Sequence, residues 1–344
     1  MQRCYVWDWR GIVRMMPFFQ QNTLLMSPRV QFRTISADEA GQRLDNFLLR
    51  ELKKAPKSLI YRIIRKGEVR INKGRAKPER KLQEGDVVRV PPVTLPDDGE
   101  PVKPSAALAE RLRNAVLYED AGLLVINKPA GLAVHGGSGI HLGLVEALRQ
   151  TRDDHYLELV HRLDRETSGC IMLAKKRSVL RQLHQKLRDK NGVDKQYLAL
   201  VKGHWSRRRG VVDAPLLRTE SPAGDRIVRV DGAGKTAKTA FELVETYADC
   251  SLVRAKPITG RTHQIRVHAQ HCKHPLVGDD KYGDDAFNDH MRAHGVKRLF
   301  LHAASLRFTL DDQAPMLVEA PLPEDLNKVL QSLSGSKAKA GVKD

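Results

Sequence analysis

The segment PPVTLPDDGEPVKPSA at 91–106 constrains the chain more than any other feature. Its prolines fix φ and remove backbone donors, and the acids between them leave little to bury, so no helix or core strand can run through it. It reads as a linker over 92–112, with a separate core required on either side. The part before it is short and very basic. Residues 42–91 hold fifteen Lys or Arg against six Asp or Glu. That is half of the net charge of +18, carried by about a seventh of the 344 residues. Charge so concentrated attracts a polyanion, and nucleic acid is the commonest one in a cell.

The pattern within 42–91 predicts a small α+β unit. Leu44, Phe47, Leu48 and Leu52 recur at helical spacing. Ser58 is placed to cap a second helix, in which Leu59, Ile60, Ile63 and Ile64 face inward. Arg62, Arg65 and Lys66 then share the other face, three and four residues apart, as a phosphate-binding surface. Gly67 ends the helix. Val69 and Ile71 open a strand, Asn72-Lys73-Gly74 makes a turn, and 87–90 form another strand.

Residues 113–332 read as one globular domain. Apolar runs at 116–118, 123–127, 169–174, 197–201, 251–255 and 316–319 predict strands, and 178–188 predicts a helix with Leu180, Leu183 and Leu187 inward. The expected class is α+β with a mainly antiparallel or mixed sheet, because no strict strand–helix alternation supports a doubly wound fold. Residues 333–344 are expected to be a disordered tail. Residues 1–30 hold Arg3, Arg10 and Arg14 against Asp8 alone, as a transit peptide would. A true start at Met16 or Met26 is the preferred reading, with 1–30 poorly ordered.

Four cysteines, Cys4, Cys170, Cys250 and Cys272, are too few for a disulfide scaffold, and no CxxC pair exists for a zinc ribbon. A reducing compartment fits them. No run of about 18 apolar residues is present, so no membrane span is expected.

Two segments concentrate the chemistry. HRLDRETSG at 161–169 is a charged loop between apolar stretches, where rigid strands would hold a catalytic group. The arginines around Asp164 favour an ionised carboxylate, competent as nucleophile or base; a structural Asp–Arg pair fits the spacing equally well. GRTHQIRVH at 260–268 offers Arg261 and Arg266 to a carboxylate or to phosphates, and Thr262 is placed to cap a short helix. His263, His268, His271, His274 and Cys272 match no HExxH or zinc-finger spacing, so metal is not expected. Gly136-Gly137-Ser138-Gly139 lacks both the P-loop ending and the dinucleotide spacing. Tyr197 leads a strong strand and suits either a core position or stacking on a base.

These segments, with Asn127-Lys128-Pro129, Gly131, His135, Lys195-Gln196-Tyr197, HPLVGDDKYG at 274–283 and LHA at 301–303, resemble the large-ribosomal-subunit type of pseudouridine synthases. The basic segment resembles the small RNA-binding domain of ribosomal protein S4. Together the resemblance spans about 290 residues. It implies a curved mixed sheet flanked by helices, no metal and no organic cofactor. It places Asp164 as nucleophile, Tyr197 stacked on the target base, Arg266 salt-bridged to the aspartate and Leu301 beneath the base. Lys128, His135, His161, Arg162, Arg165, Arg261 and His263 complete the expected RNA contacts, beside Arg62, Arg65 and Lys66. The expected partner is large-subunit ribosomal RNA, bound by a monomer in the bacterial cytoplasm, with the target base flipped from its stack. Two subtypes of the family carry the basic domain, and VHGGSG at 134–139 with PKSLIYRIIRKGEVRIN at 56–72 favours one of them. The alternatives are the sister subtype, a non-catalytic ribosome-assembly factor, and a metal hydrolase built on His268 to His274.

Overall fold

The computed structural model describes residues 30–52, 55, 57–93, 103–136, 142–154, 156–190, 192–206, 210–220, 226–310 and 314–340. The extension expected at 1–30 lies outside these residues apart from Val30, as do Gly137, Ser138 and Gly139 of the glycine-rich loop and residues 341–344. The chain divides into two units, one ending at Gly99 and the other beginning at Glu100.

In the first unit, β1 (Gln31–Thr34), α1 (Leu44–Glu51), α2 (Lys57–Arg65), β2 (Arg70–Ile71), β3 (Gly74–Arg75) and β4 (Val87–Val90) follow in order. The strands pair antiparallel as β1-β4-β2-β3. Because β1 pairs along the whole of β4, the unit begins before residue 42, where the basic composition starts. Leu44, Phe47, Leu48, Ile60, Ile63 and Ile64 form its core with Val88 and Val90. Ser58 lies inside the first turn of α2 and does not cap it. Gly67 ends that helix at φ 73°, a conformation that costs other residues strain. Asn72 and Lys73 both take positive φ, 49° and 68°, which gives the two-residue hairpin turn between β2 and β3. Arg62, Arg65 and Lys66 are exposed.

The second unit opens with α3 (Ala106–Arg113), capped by Ser105, whose hydroxyl accepts from Leu108 N. Leu112 is fully buried, so the C-terminal part of the expected linker belongs to the folded unit. There follow β5 (Val116–Glu119), β6 (Leu123–Lys128), α4 (Leu144–Thr151), β7 (Glu158–Leu159), β8 (Ser168–Ala174), α5 (Arg177–Asp189) and β9 (Val193–Lys202). Then come β10 (Val211–Asp213), β11 (Leu216–Glu220), β12 (Arg226–Val230), β13 (Lys238–Thr246), β14 (Cys250–Pro257), α6 (Gln264–His271) and α7 (Asp285–Arg292). The chain ends with β15 (Leu301–Phe308), β16 (Met316–Glu319) and α8 (Glu324–Ala340). Helix α8 runs through 333–340, which the sequence assigns to a disordered tail; Leu333 is buried and ties that turn to the core.

Ten strands form one mixed sheet among the described residues, in the order β10-β13-β14-β9-β15-β8-β6-β5, with β16 on β15 and β7 on β8. Every pair in it is antiparallel except β15 with β8. That parallel seam is two residue pairs long, His302 with Ser168 and Ala303 with Gly169. Gly169 sits there at φ 109°, and a Cβ on it would lie 2.2 Å from the Ala303 carbonyl oxygen, so only glycine fits. The seam joins two half-sheets, β10-β13-β14-β9-β15 and β8-β6-β5. The expected strands at the six apolar runs are all present. The helix at 178–188 is α5, with Leu183 buried.

Candidate active site

Asp164 stands in the loop between β7 and β8. This loop is held from beneath by Lys128, at the end of β6. Its ammonium donates to the carbonyls of Pro129 and Leu132, both at 2.8 Å, and of Arg165 at 3.0 Å. Gly131 N also donates to Arg165 O, and Arg165 Nε returns a bond to Gly131 O. Lys128 is fully buried and its three donors are used, so it braces the Asp164 loop and is not free to make the RNA contact expected from the sequence. Burial pushes its pKa down to about 7.

Across from this loop, β9 and β14 pair as far as Tyr197 with Ala255 and then part. A cleft of about 1000 Å³ opens there, lined by His161–Asp164, the end of α5, Val193–Lys195, Tyr197, Lys256–Arg266 and Leu301. It brings together Asp164, Tyr197, Arg266 and Leu301, which the sequence places as a catalytic set. Tyr197 is buried, and burial, followed by the charge of Asp164, raises its pKa. Leu301 opens β15 beside β9.

The turn from β14 to α6 is organised by a residue the sequence reading passed over. Gln264 is 4% exposed. Its carbonyl accepts from Thr259 Oγ1 at 2.6 Å and from Arg261 N at 3.0 Å, while its amide donates to Lys238 O and Thr239 Oγ1 at 2.9 Å. Thr262 does not cap α6. The cap position is His263, in the left-handed region at φ 54° with no side-chain cap bond. This turn swings His263 and Arg266 towards the carboxylate: His263 Nε2 lies 3.9 Å and Arg266 Nη1 3.5 Å from Asp164.

Arg266 has a second, tighter partner. Its Nε and Nη2 bind the two oxygens of Asp279, each at 2.7 Å. The Asp279 carboxylate is fully buried, and its Oδ1 also accepts from Lys281 N and Tyr282 N. Two parallel bonds fix the guanidinium plane, leaving Nη1 free to face Asp164. Although burial works against the Arg266 charge, the Asp279 bonds outweigh it and raise the pKa. Asp279 lies in HPLVGDDKYG, and a buried arginine's need for a bidentate partner was the signal that could have singled it out.

Tyr282 completes the support. Its ring lies under Arg266, 4.9 Å from centroid to guanidinium carbon. Its hydroxyl accepts from Val228 N at 3.0 Å and contacts His263 Nδ1 at 2.7 Å. If the hydroxyl donates to Nδ1, the neutral ring carries its proton on Nε2, towards Asp164. Burial lowers the His263 pKa and favours that neutral ring.

The remaining expected contacts separate. Arg162, Arg261 and His263 line the cleft, and Arg165 and His135 are exposed outside its lining. His161 lines it too, but its Nε2 accepts from Met172 N and its Nδ1 is buried without a partner. Burial holds its pKa at about 3, so it carries no charge for RNA at neutral pH. Arg62, Arg65 and Lys66 belong to the other unit. Nor do the clustered histidines share one focus. His268 bonds Thr239 and Ala214 O, while His274 bonds Lys202 O and packs on Trp205.

A mixed sheet with an aspartate, a tyrosine and a clamped arginine at one cleft, preceded by a small basic unit, defines a class of RNA-modifying enzyme. The RNA pseudouridylate synthase family model matches residues 122–271, and the S4 domain matches residues 42–88. The chain belongs to the RNA pseudouridine synthases and carries an S4 domain. It is 53% identical, over 91% of its length and 97% of the relative's, to ribosomal large subunit pseudouridine synthase C of Pasteurella multocida. It is 52% identical to the protein of the same name from Escherichia coli, over 90% of this chain and 99% of that one. Among solved structures, human RNA pseudouridylate synthase domain containing 4 matches with a TM-score of 0.55 at 28% identity, covering 66% of this chain and 96% of the human one. Human RNA pseudouridylate synthase domain containing 1 matches with the same TM-score at 27% identity, covering 70% and 98%.

Proposed function

We propose that this enzyme isomerises uridines of large-subunit ribosomal RNA, as a synthase of subtype C, with Asp164 as the nucleophile. The observation that carries the reading is the Asp164 carboxylate at the cleft, 3.5 Å from a guanidinium that Asp279 holds in place. In the reaction the bond from ribose C1′ to uracil N1 breaks, the base turns, C1′ bonds to C5, and the C5 proton is lost while N1 gains one. Atoms and charge balance without any imported group. The base leaves its stack to reach Asp164, at a cost of a few kcal/mol that contacts to the flanking RNA offset. Tyr197 holds the ring in plane while Arg266 orients the carboxylate. A binding factor alone has no use for a buried arginine clamp aimed at a second carboxylate, which favours the enzyme over an assembly factor.

The test is a pseudouridine map of ribosomal RNA from cells lacking the protein. Specific large-subunit pseudouridines are expected to disappear. An unchanged map would overturn the reading, and loss at the sites of the sister subtype D would reassign it.

A further inference from the structure

The cleft wall carries a cation that no described group answers. Lys195 and Tyr197 are two residues apart on β9, so both side chains leave the strand on the cleft side, about 6.6 Å apart along it. One edge of β9 stays paired at this point, Lys195 with Leu306 of β15. The other edge faces the gap where β14 has turned away. Among the described residues the Lys195 side chain makes no hydrogen bond and no ion pair.

Its neighbours do not supply the missing charge. Asp194 is engaged with Lys256 at 2.8 Å. His161 offers no acceptor, because Nε2 is taken by Met172 N and the neutral ring keeps its proton on Nδ1. Asp164 is turned to Arg266 and His263. Across from the ammonium stands Gly260, where a Cβ would lie 3.9 Å from Nζ, so a residue without a side chain borders the charge on that side of the cleft. A partly buried ammonium without a counter-charge is costly, and burial lowers its pKa accordingly. A full negative charge satisfies such a group better than a neutral carbonyl does.

We propose that Lys195 binds a backbone phosphate of the RNA, at or next to the nucleotide held against Tyr197. This inference rests on the RNA-modifying reading of the cleft. It makes Lys195 an affinity contact: the phosphate is gripped on the same strand that carries the tyrosine. The charge is specific to the nucleotide entering the cleft, unlike the exposed cations of α2.

The test uses Lys195→Met, which keeps the aliphatic stem and removes the charge, and Lys195→Arg, which keeps it. A ribosomal RNA fragment containing the target uridine is titrated at several salt concentrations. For Lys195→Met, Kd should weaken about tenfold and the slope of log K against log salt should fall by about 0.7 to 0.9. The single-turnover rate at saturating RNA should stay within about twofold. Lys195→Arg should keep the wild-type slope. A methylphosphonate at the contacted linkage should weaken the wild type equally and add nothing to Lys195→Met. Lys195→Gln serves the same purpose where the Met variant fails to fold. An unchanged slope, or a fallen saturating rate with unchanged Kd, would overturn the phosphate contact, the latter pointing to the base instead. The slope is read from binding alone. It therefore decides the contact even where the wild type forms no pseudouridine, an outcome that would overturn the functional reading itself.

Discussion

The basic side chains of α2 and those around the cleft look alike in the sequence and differ entirely in their surroundings. Arg62, Arg65 and Lys66 are exposed and stand in water. Lys128 is sealed under the Asp164 loop, His161 is neutral, and the Arg266 side chain is 11% exposed and clamped by Asp279. Solvated cations attract RNA over distance and are screened by salt. A buried, bidentate cation is hardly screened, and its work is to hold geometry. The partner each cation already has, rather than its charge, separates affinity from chemistry.

The strongest way to break this division is at the cleft. Asp164→Asn is expected to lower single-turnover pseudouridine formation by at least about 10⁴-fold while RNA affinity stays within a few-fold. Normal turnover would end the assignment, and a large loss of affinity would mean that the cleft charge serves binding. Next in size is Asp279→Asn, which leaves Arg266 without its carboxylate in a buried site. Breaking such a pair costs about 3–5 kcal/mol of stability, and a loosened guanidinium should slow turnover by roughly 10²-fold. Thermal unfolding and single-turnover rates at saturating RNA read both effects, and a variant with wild-type values of each would remove Asp279 from the site.

A smaller effect is expected from replacing Arg62, Arg65 and Lys66 together by Gln. RNA binding should weaken and its salt slope should become shallower by about 2 to 3, with the saturating rate unchanged. An unaltered slope would mean that α2 does not touch RNA. The smallest effect concerns His161. Burial holds its folded pKa at about 3, below the 6.5 of an exposed histidine, so the unfolded chain takes up a proton first. Stability from this residue is complete above about pH 6.5 and is lost as pH falls towards 3. Urea unfolding at pH 7 and pH 5 should therefore show a smaller acid loss in His161→Asn than in the wild type. Equal losses would place His161 among the solvated cations after all.

The same contrast explains how far the sequence could be read. Continuous apolar runs such as 123–127 and 169–174 announce buried strands directly, and the helical spacing of Leu44, Phe47 and Leu48 announces α1. Strand β13, KTAFELVET, escaped notice because only Thr239 and Phe241 are buried, with Lys238 and Glu242 on either side, so no continuous apolar run marks it. Asp164, Tyr197 and Arg266 were legible as motifs, but the depth of a charge is not written in its own neighbourhood. Lys128 finds its carbonyl partners partly 37 residues away, and Arg266 finds Asp279 across a turn. Gln264 looks like an ordinary polar residue until folding brings Thr259, Lys238 and Thr239 to it.

The short parallel seam at Gly169 has a consequence for how this site tolerates change. Asp164 belongs to one half-sheet, whereas Tyr197, Leu301 and the Arg266 turn belong to the other, so the distance between carboxylate and tyrosine is set where the halves meet. Widening that contact by a single methyl group would move every member of one set relative to the other without altering any of them. The spacing between Asp164 and Tyr197 is thus governed by an atom that is absent, and a side chain at residue 169 would reach the cleft from outside it.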